Sequence, residues 1–323
     1  MFPAAVRLPP PLRTGDTVRV IAPSSPFDAA AFERGIAVLE GPLGLRTRMR
    51  ADVAARRGYL AGDDARRVDE WREAVADPDA TAIFCARGGY GAMRILPALD
   101  AAPLLAAPKL LVGFSDVTPL HGLLNRAGLA SVHGPVLTQL GRAPDDAVRH
   151  LAALLRRDAP PPGPWELPAP GAGLAGTTTL RPGRVSAPLL GGSLTMLAHL
   201  CGTPWQARLE GAILFLEDVD EKPYRLDRYL TQLRLAGALD GVAAIAVGQL
   251  TGCDTPGLRG LEVVSELVGA LGVPAIAGIP AGHDDAHFAL PLGARATLVA
   301  PGPGEDGQPR LLFDGWLGGG SVA

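Results

Sequence analysis

One serine stands where an apolar run stops abruptly. In KLLVGFSDVTPL, residues 110–112 are consecutively apolar, Ser115 follows two residues after Gly113, and Pro119 opens a helix-like stretch. A hydroxyl on such a strand-to-helix turn projects from the rigid edge of a sheet beside uncovered N–H groups, which suits a nucleophile. Two further groups could complete that chemistry. Glu217 closes the apolar run GAILFLE, and His283 sits in AGHDDAHFALPLG. A serine, a histidine and a carboxylate are the parts of an acyl-transfer triad: the imidazole takes the serine proton and the carboxylate fixes its tautomer. The elbow does not follow G-x-S-x-G, because Val117 stands where the second glycine would be, so an ordinary α/β-hydrolase is not expected.

Two other patterns leave alternatives open. The glycines of RGGYG, residues 87–91, free backbone N–H groups for an oxyanion or a phosphate, but they equally suit a tight turn. Neither a dinucleotide fingerprint nor a Walker pattern is completed there. His283 and His287, four apart with Asp284 and Asp285 between, could suggest a metal. That spacing needs a helix to bring both rings to one side, and Pro280 and Gly282 argue against one, so no metal and no cofactor are expected. His121, His133, His150 and His199 read as ordinary core or surface histidines, and Asp220 and Glu221 as a solvated acidic loop. Cys85, Cys201 and Cys253 are widely spaced and read as free thiols.

The elements that must position these groups are legible as alternation. Strand patterns at 17–22, 81–85 and 110–112 alternate with helical ones at 29–39, 93–99 and 120–125, implying a parallel α/β sheet. In the second half, strands are expected at 211–216 and 242–247, helices at 224–236 and 261–271, and short strands near Ala275 and Arg295. Between them, 143–184 holds DAPPPGPWELPAPGAGLAG, read as a linker without packed elements. The expected organisation is an N-terminal α/β domain over 1–142, the linker, and a C-terminal α/β domain over 185–323. A net charge of -3 and a pI near 6.1 give no basic footprint for nucleic acid. No apolar run approaches a membrane span, so a cytoplasmic setting is expected.

Taken together, RTGDTVRVIAPSSP, GYLAGDDARR, ARGGYGAMRILP, LVGFSD, HGP at 133–135, LLGGSLT, FLEDVDEKPYRLDRYL and AGHDDAHFALPLG resemble the LD-carboxypeptidase family of serine peptidases. The likeness runs from Arg13 to Gly293. It implies Ser115 as nucleophile, Glu217 as triad carboxylate, His283 as general base, and the N–H groups of Asp116 and Gly88 as oxyanion donors. Asparagine would be commoner where His287 stands, which bears on the loop's shape. The resemblance further implies a site in the cleft between two domains, a homodimer, and a substrate among murein tetrapeptides ending in D-alanine. Acylated nucleotide antibiotics, cleaved by the microcin-immunity members, are the alternative. Arg87 and Arg225 are candidates to clamp the terminal carboxylate. A nucleotide- or sugar-binding module without chemistry is the competing class.

Overall fold

The apolar runs of the first half assemble as parallel strands. In this computed structural model, which describes residues 6–156, 165–166, 176–313 and 316, they are β1 (Thr17–Ile21), β2 (Arg46–Arg48), β3 (Ala80–Cys85), β4 (Leu110–Gly113) and β5 (Ser131–His133). Their order, 2-1-3-4-5, is doubly wound, with the crossover direction reversing between β1 and β3. Ligands of such sheets bind outside the carboxyl ends of the strands near that reversal. The loops after β1, β3 and β4 all meet there, and they hold Ser24–Ser25, RGGYG and Ser115 respectively.

The second sheet contains β6 (Trp165–Glu166), β7 (Thr178–Arg181), β8 (Gly183–Ser193), β9 (Ile213–Val219), β10 (Ala244–Thr251) and β11 (Ala275–Ala277). Strands β8 to β11 run parallel. After β11 the chain crosses back: β12 (Leu290–Leu292) pairs antiparallel with β5, so residues of the C-terminal half complete the first sheet. Then β13 (Arg295–Ala300) and β14 (Arg310–Phe313) return to the second sheet beside β8. The molecule is therefore α/β with two sheets, and the segment carrying His283 spans the cleft from one to the other.

Several elements differ from expectation. Residues 143–184 are not free of packed structure, because Asp145–Arg156 is a helix burying Ala147, Leu151, Leu154 and Leu155. Its Asp145 and Asp146 suit a helix N-terminus, a signal obscured by the proline tract that follows. Strands β7 and β8 also begin inside the expected linker, whose proline-rich middle lies largely outside the described residues. The helix Asp64–Ala76, capped by Asp63, and the helix Leu194–Leu200, capped by Ser193, were not expected either. Finally, β9 runs through Val219, so Glu217 lies within a strand and not after it.

Candidate active site

Ser115 sits at φ 63, in the left-handed region that side chains other than glycine rarely occupy. Strain of that kind persists only where the surroundings enforce it. Here they do: Leu110–Gly113 is buried on all four residues, and a 3₁₀ turn over Ser115–Val117 runs directly into the helix Thr118–Arg126 with Pro119 in its first turn. Asp116 and Thr118, both N-cap types, make no cap to this helix. Thr118 instead accepts the Ser193 N–H at 3.1 Å, which ties the elbow to the second sheet.

Glu217 is fully buried on β9, and strand alternation sends the neighbouring Asp218 to the opposite face, where it accepts from the N–H and hydroxyl of Thr195. The loop after β11 then brings His283 over Glu217. Gly282, at φ 149, permits this, since a Cβ there would lie 2.8 Å from Gln249 Cβ and 3.2 Å from Glu217 Oε2. The three expected residues meet in one line. His283 Nε2 lies 3.0 Å from Ser115 Oγ, and His283 Nδ1 lies 2.7 Å from Glu217 Oε2. With Nδ1–H donating to the carboxylate, Nε2 presents its lone pair to the hydroxyl, as a base for that proton requires.

The electrostatics agree with this arrangement. Burial alone would raise the Glu217 carboxyl pKa, but the charge on His283 and a contact from His133 hold it down to about 2. Burial likewise opposes a charged His283, yet Glu217's charge and hydrogen bond outweigh that and raise its pKa above 6.5. An imidazolium formed during proton transfer is thereby stabilised.

Gly88 packs so closely on the elbow that a Cβ there would stand 3.0 Å from Ser115 Cβ and 3.2 Å from Oγ. Among the described residues, neither the Gly88 nor the Asp116 N–H donates to a protein acceptor. Two free donors beside Oγ are what a developing oxyanion needs. The glycine loop is held from three sides. Asp116 Oδ2 accepts the Ala92 N–H at 2.8 Å, Ser25 Oγ accepts the Tyr90 N–H at 3.0 Å, and buried Arg67 donates to the carbonyls of Pro23 and Gly91. Arg87 is exposed and donates to the Pro26 carbonyl at 2.7 Å, at the rim beside Gly88. Arg225 is engaged by Glu221 at 3.1 Å, and no contact places it against Ser115.

The two histidines of the loop point apart. His287, fully buried, faces Gln139 and His133, while Asp284 accepts from Thr251 and Asp285 pairs with Arg142. His133 was read as an ordinary core or surface residue, yet its Nε2 comes within 3.8 Å of Glu217 Oε1. The signal was present in HGP, whose histidine ends the short strand β5, but its partner lies 84 residues away in sequence, 217 less 133. Phe114 walls this group, its ring 4.6 Å from those of His283 and His287.

Comparison with known proteins adds the relatives. The profile of the LD-carboxypeptidase N-terminal domain matches residues 18–134, and that of the LD-carboxypeptidase C-terminal domain matches residues 186–298. The murein tetrapeptide carboxypeptidase of Pseudomonas aeruginosa is 38% identical over 87% of this chain and 92% of its own. The microcin C7 self-immunity protein of Escherichia coli is 28% identical over 89% and 92%. Among solved structures, the muramoyltetrapeptide carboxypeptidase of Oxalobacter formigenes superposes with a TM-score of 0.79 at 30% identity, covering 92% of this chain and 98% of that one. The immunity protein in complex with aspartyl sulfamoyl adenosine does so at 0.84 and 25% identity, covering 97% and 99%.

Proposed function

Because the chain belongs to the LD-carboxypeptidase family, we propose that this peptidase is a serine LD-carboxypeptidase releasing the terminal D-alanine from murein tetrapeptides. The observation that carries the reading is the line from Ser115 through His283 to Glu217, with two free N–H groups beside the hydroxyl. Ser115 Oγ attacks the carbonyl between the L-configured centre of meso-diaminopimelate and D-alanine, and His283 Nε2 takes the hydroxyl proton. The oxyanion develops toward the N–H groups of Gly88 and Asp116. His283 then passes its proton to the leaving amine, releasing D-alanine. A water, deprotonated by the same nitrogen, cleaves the acyl-enzyme to regenerate Ser115 and free the tripeptide. Arg87, exposed at the rim, supplies a cation for the carboxylate of D-alanine, and a guanidinium can hold it with two parallel hydrogen bonds. Arg225 is the weaker candidate, being already paired with Glu221. A cytoplasmic homodimer needing neither metal nor cofactor completes the proposal.

The test is chromatographic. L-Ala-γ-D-Glu-meso-diaminopimelate-D-Ala should yield free D-alanine, while the peptide ending in L-alanine or an amide should yield little. Ser115→Ala should fold normally and lose about a million-fold in kcat, as when the nucleophile of a comparable triad is removed. Equal cleavage of the amide, or preference for an aspartyl sulfamoyl adenosine such as the immunity relative binds, would overturn the substrate. A folded Ser115→Ala variant with near-normal turnover would overturn the mechanism.

A further inference from the structure

Two buried polar atoms beside the triad face each other without a hydrogen-bond partner: Glu217 Oε1 and His133 Nε2, 3.8 Å apart. A native interior rarely leaves such atoms unexplained, and that gap has no room for a water on the line between them. The hydrogen atoms of the neighbouring groups can be assigned by exclusion. Gln139 Nε2 donates to the carbonyls of Gly282 and Asp284, at 3.2 and 2.9 Å, on either side of His283. Its amide is therefore fixed, and Gln139 Oε1 must be what His287 Nδ1 meets at 3.2 Å. An oxygen acceptor requires His287 Nδ1 to carry hydrogen. The next contact, His287 Nε2 to His133 Nδ1 at 3.2 Å, needs one hydrogen between two nitrogens.

If both rings are neutral, that hydrogen belongs to His133 Nδ1, and His133 Nε2 then turns a lone pair on the Glu217 carboxylate. This is repulsive and leaves both atoms orphaned. If the pair of rings holds one additional proton, His133 Nε2 carries hydrogen wherever the shared one resides, and the carboxylate faces an N–H and a positive charge in place of a lone pair. We propose that His133 and His287 together form a buried monocation whose His133 Nε2–H faces Glu217 Oε1 as a charge pair at 3.8 Å, making His133 a positioning residue for the triad carboxylate. Burial disfavours charge on His287, and the Glu217 carboxylate stands 3.8 Å from His133 Nε2, so the shared proton sits on the His133 side, next to the carboxylate. The titratable groups facing His133 are Glu217 on β9, His287 from the loop, and His121 from the helix Thr118–Arg126. His121 stays neutral, bound to the Gly113 carbonyl and the Ser131 hydroxyl. The consequence rests on the triad reading: Glu217 is gripped at both oxygens, so Oε2 stays aimed at His283, and Gln139 couples that grip to the loop on which His283 rides.

The test begins with the resting protein, independent of turnover. Nitrogen-15 spectra of histidine-labelled enzyme at neutral pH, assigned by loss of signals in His133→Gln, should show hydrogen on both nitrogens of His133. A bare Nε2 would overturn the proposal, while the Ser115→Ala measurement would separately decide the triad. In kinetics, His133→Leu should lower kcat about 10- to 100-fold with KM little changed, the usual cost of a residue that orients a functional ligand. His133→Gln, whose amide N–H₂ can take the place of Nε2–H, should recover most of that loss. Equal activity of folded Leu and Gln variants would overturn the positioning role. If the Leu variant does not fold, the spectra and the Gln variant still decide.

Discussion

In the proposed mechanism His283 takes a proton from a hydroxyl, and the groups around it make it a stronger base than a free imidazole. Burial works against its charged form, but Glu217 prevails. The base is active only when neutral, so kcat/KM should fall as pH drops through the His283 pKa, above the ordinary value of 6.5. Replacing Glu217 by Gln removes the charge that favours the imidazolium, so the acidic limb should move to lower pH while kcat falls. A pH–rate profile of both proteins checks this, and a limb that stays in place or moves up would contradict it. Ser115 and Glu217 stood out because each interrupts or closes an apolar run, whereas His283 stood out as one of two histidines in a glycine- and proline-flanked loop and took its role from the family resemblance. His133, His287 and Gln139 were not, because a buried polar side chain shows its purpose only through partners distant in sequence.

In the proposed mechanism the elements divide the labour: the elbow after β4 carries the hydroxyl and the Asp116 N–H, the glycine loop after β3 carries the Gly88 N–H, and β9 and the crossing loop carry carboxylate and base. Gly88 is where two of these meet so closely that a side chain would force one of them to shift. Gly88→Ala should push the loop away from Ser115 and lower kcat about 100- to 1000-fold, the cost of one lost oxyanion donor. The thermal midpoint should fall modestly, because Gly88 is buried but the half-buried Ser115 can give way; assays with circular dichroism on the same preparation test both halves. The parallel strands of the first sheet were readable as apolar runs between helical periods. Strand β8 was not, because Pro188, Gly191 and Gly192 read as breakers, although an interior strand can use such residues where neighbours approach closely. The pairing of β12 with β5 was invisible for another reason: three residues, LPL, carry no period, and their place is set by the whole fold.

At the scale of the molecule, one apolar cluster runs from Val20, Phe84 and Val112 of the first sheet to Leu189, Phe215 and Ala246 of the second. Enclosed against it are His121 and His287, both fully buried. Burial depresses the His121 pKa to about 3 and that of His287 well below 6.5. The sign follows from proton counting: below pH 6.5 the unfolded chain takes up protons that these two folded imidazoles refuse, so stability falls as pH falls. Each contributes a loss of at most about 1.4 kcal/mol per pH unit until its folded pKa is reached. Asp218, raised by burial to about 6, works the other way in the same range, so the test is a difference: between pH 7 and 5 the urea midpoint of His121→Gln should lose less, or gain more, than that of the unaltered protein. The same pH dependence in both proteins would show that the His121 ring is not held neutral.

The crossing of the chain after β11 has a mechanical corollary. Two lobes joined by one tether can swing wide to admit a ligand, but here the backbone passes between the sheets again on either side of β12, within residues 278–294, and an apolar cluster fills the join. Gaping would pull His283 from Ser115 and strip β12 from β5 in one motion. Entry of substrate must therefore be a matter of local side-chain and loop adjustment at the rim, with the jaws at fixed separation. Small-angle scattering of Ser115→Ala should give the same radius of gyration with and without tetrapeptide, and a contraction on binding would mean that the lobes do part.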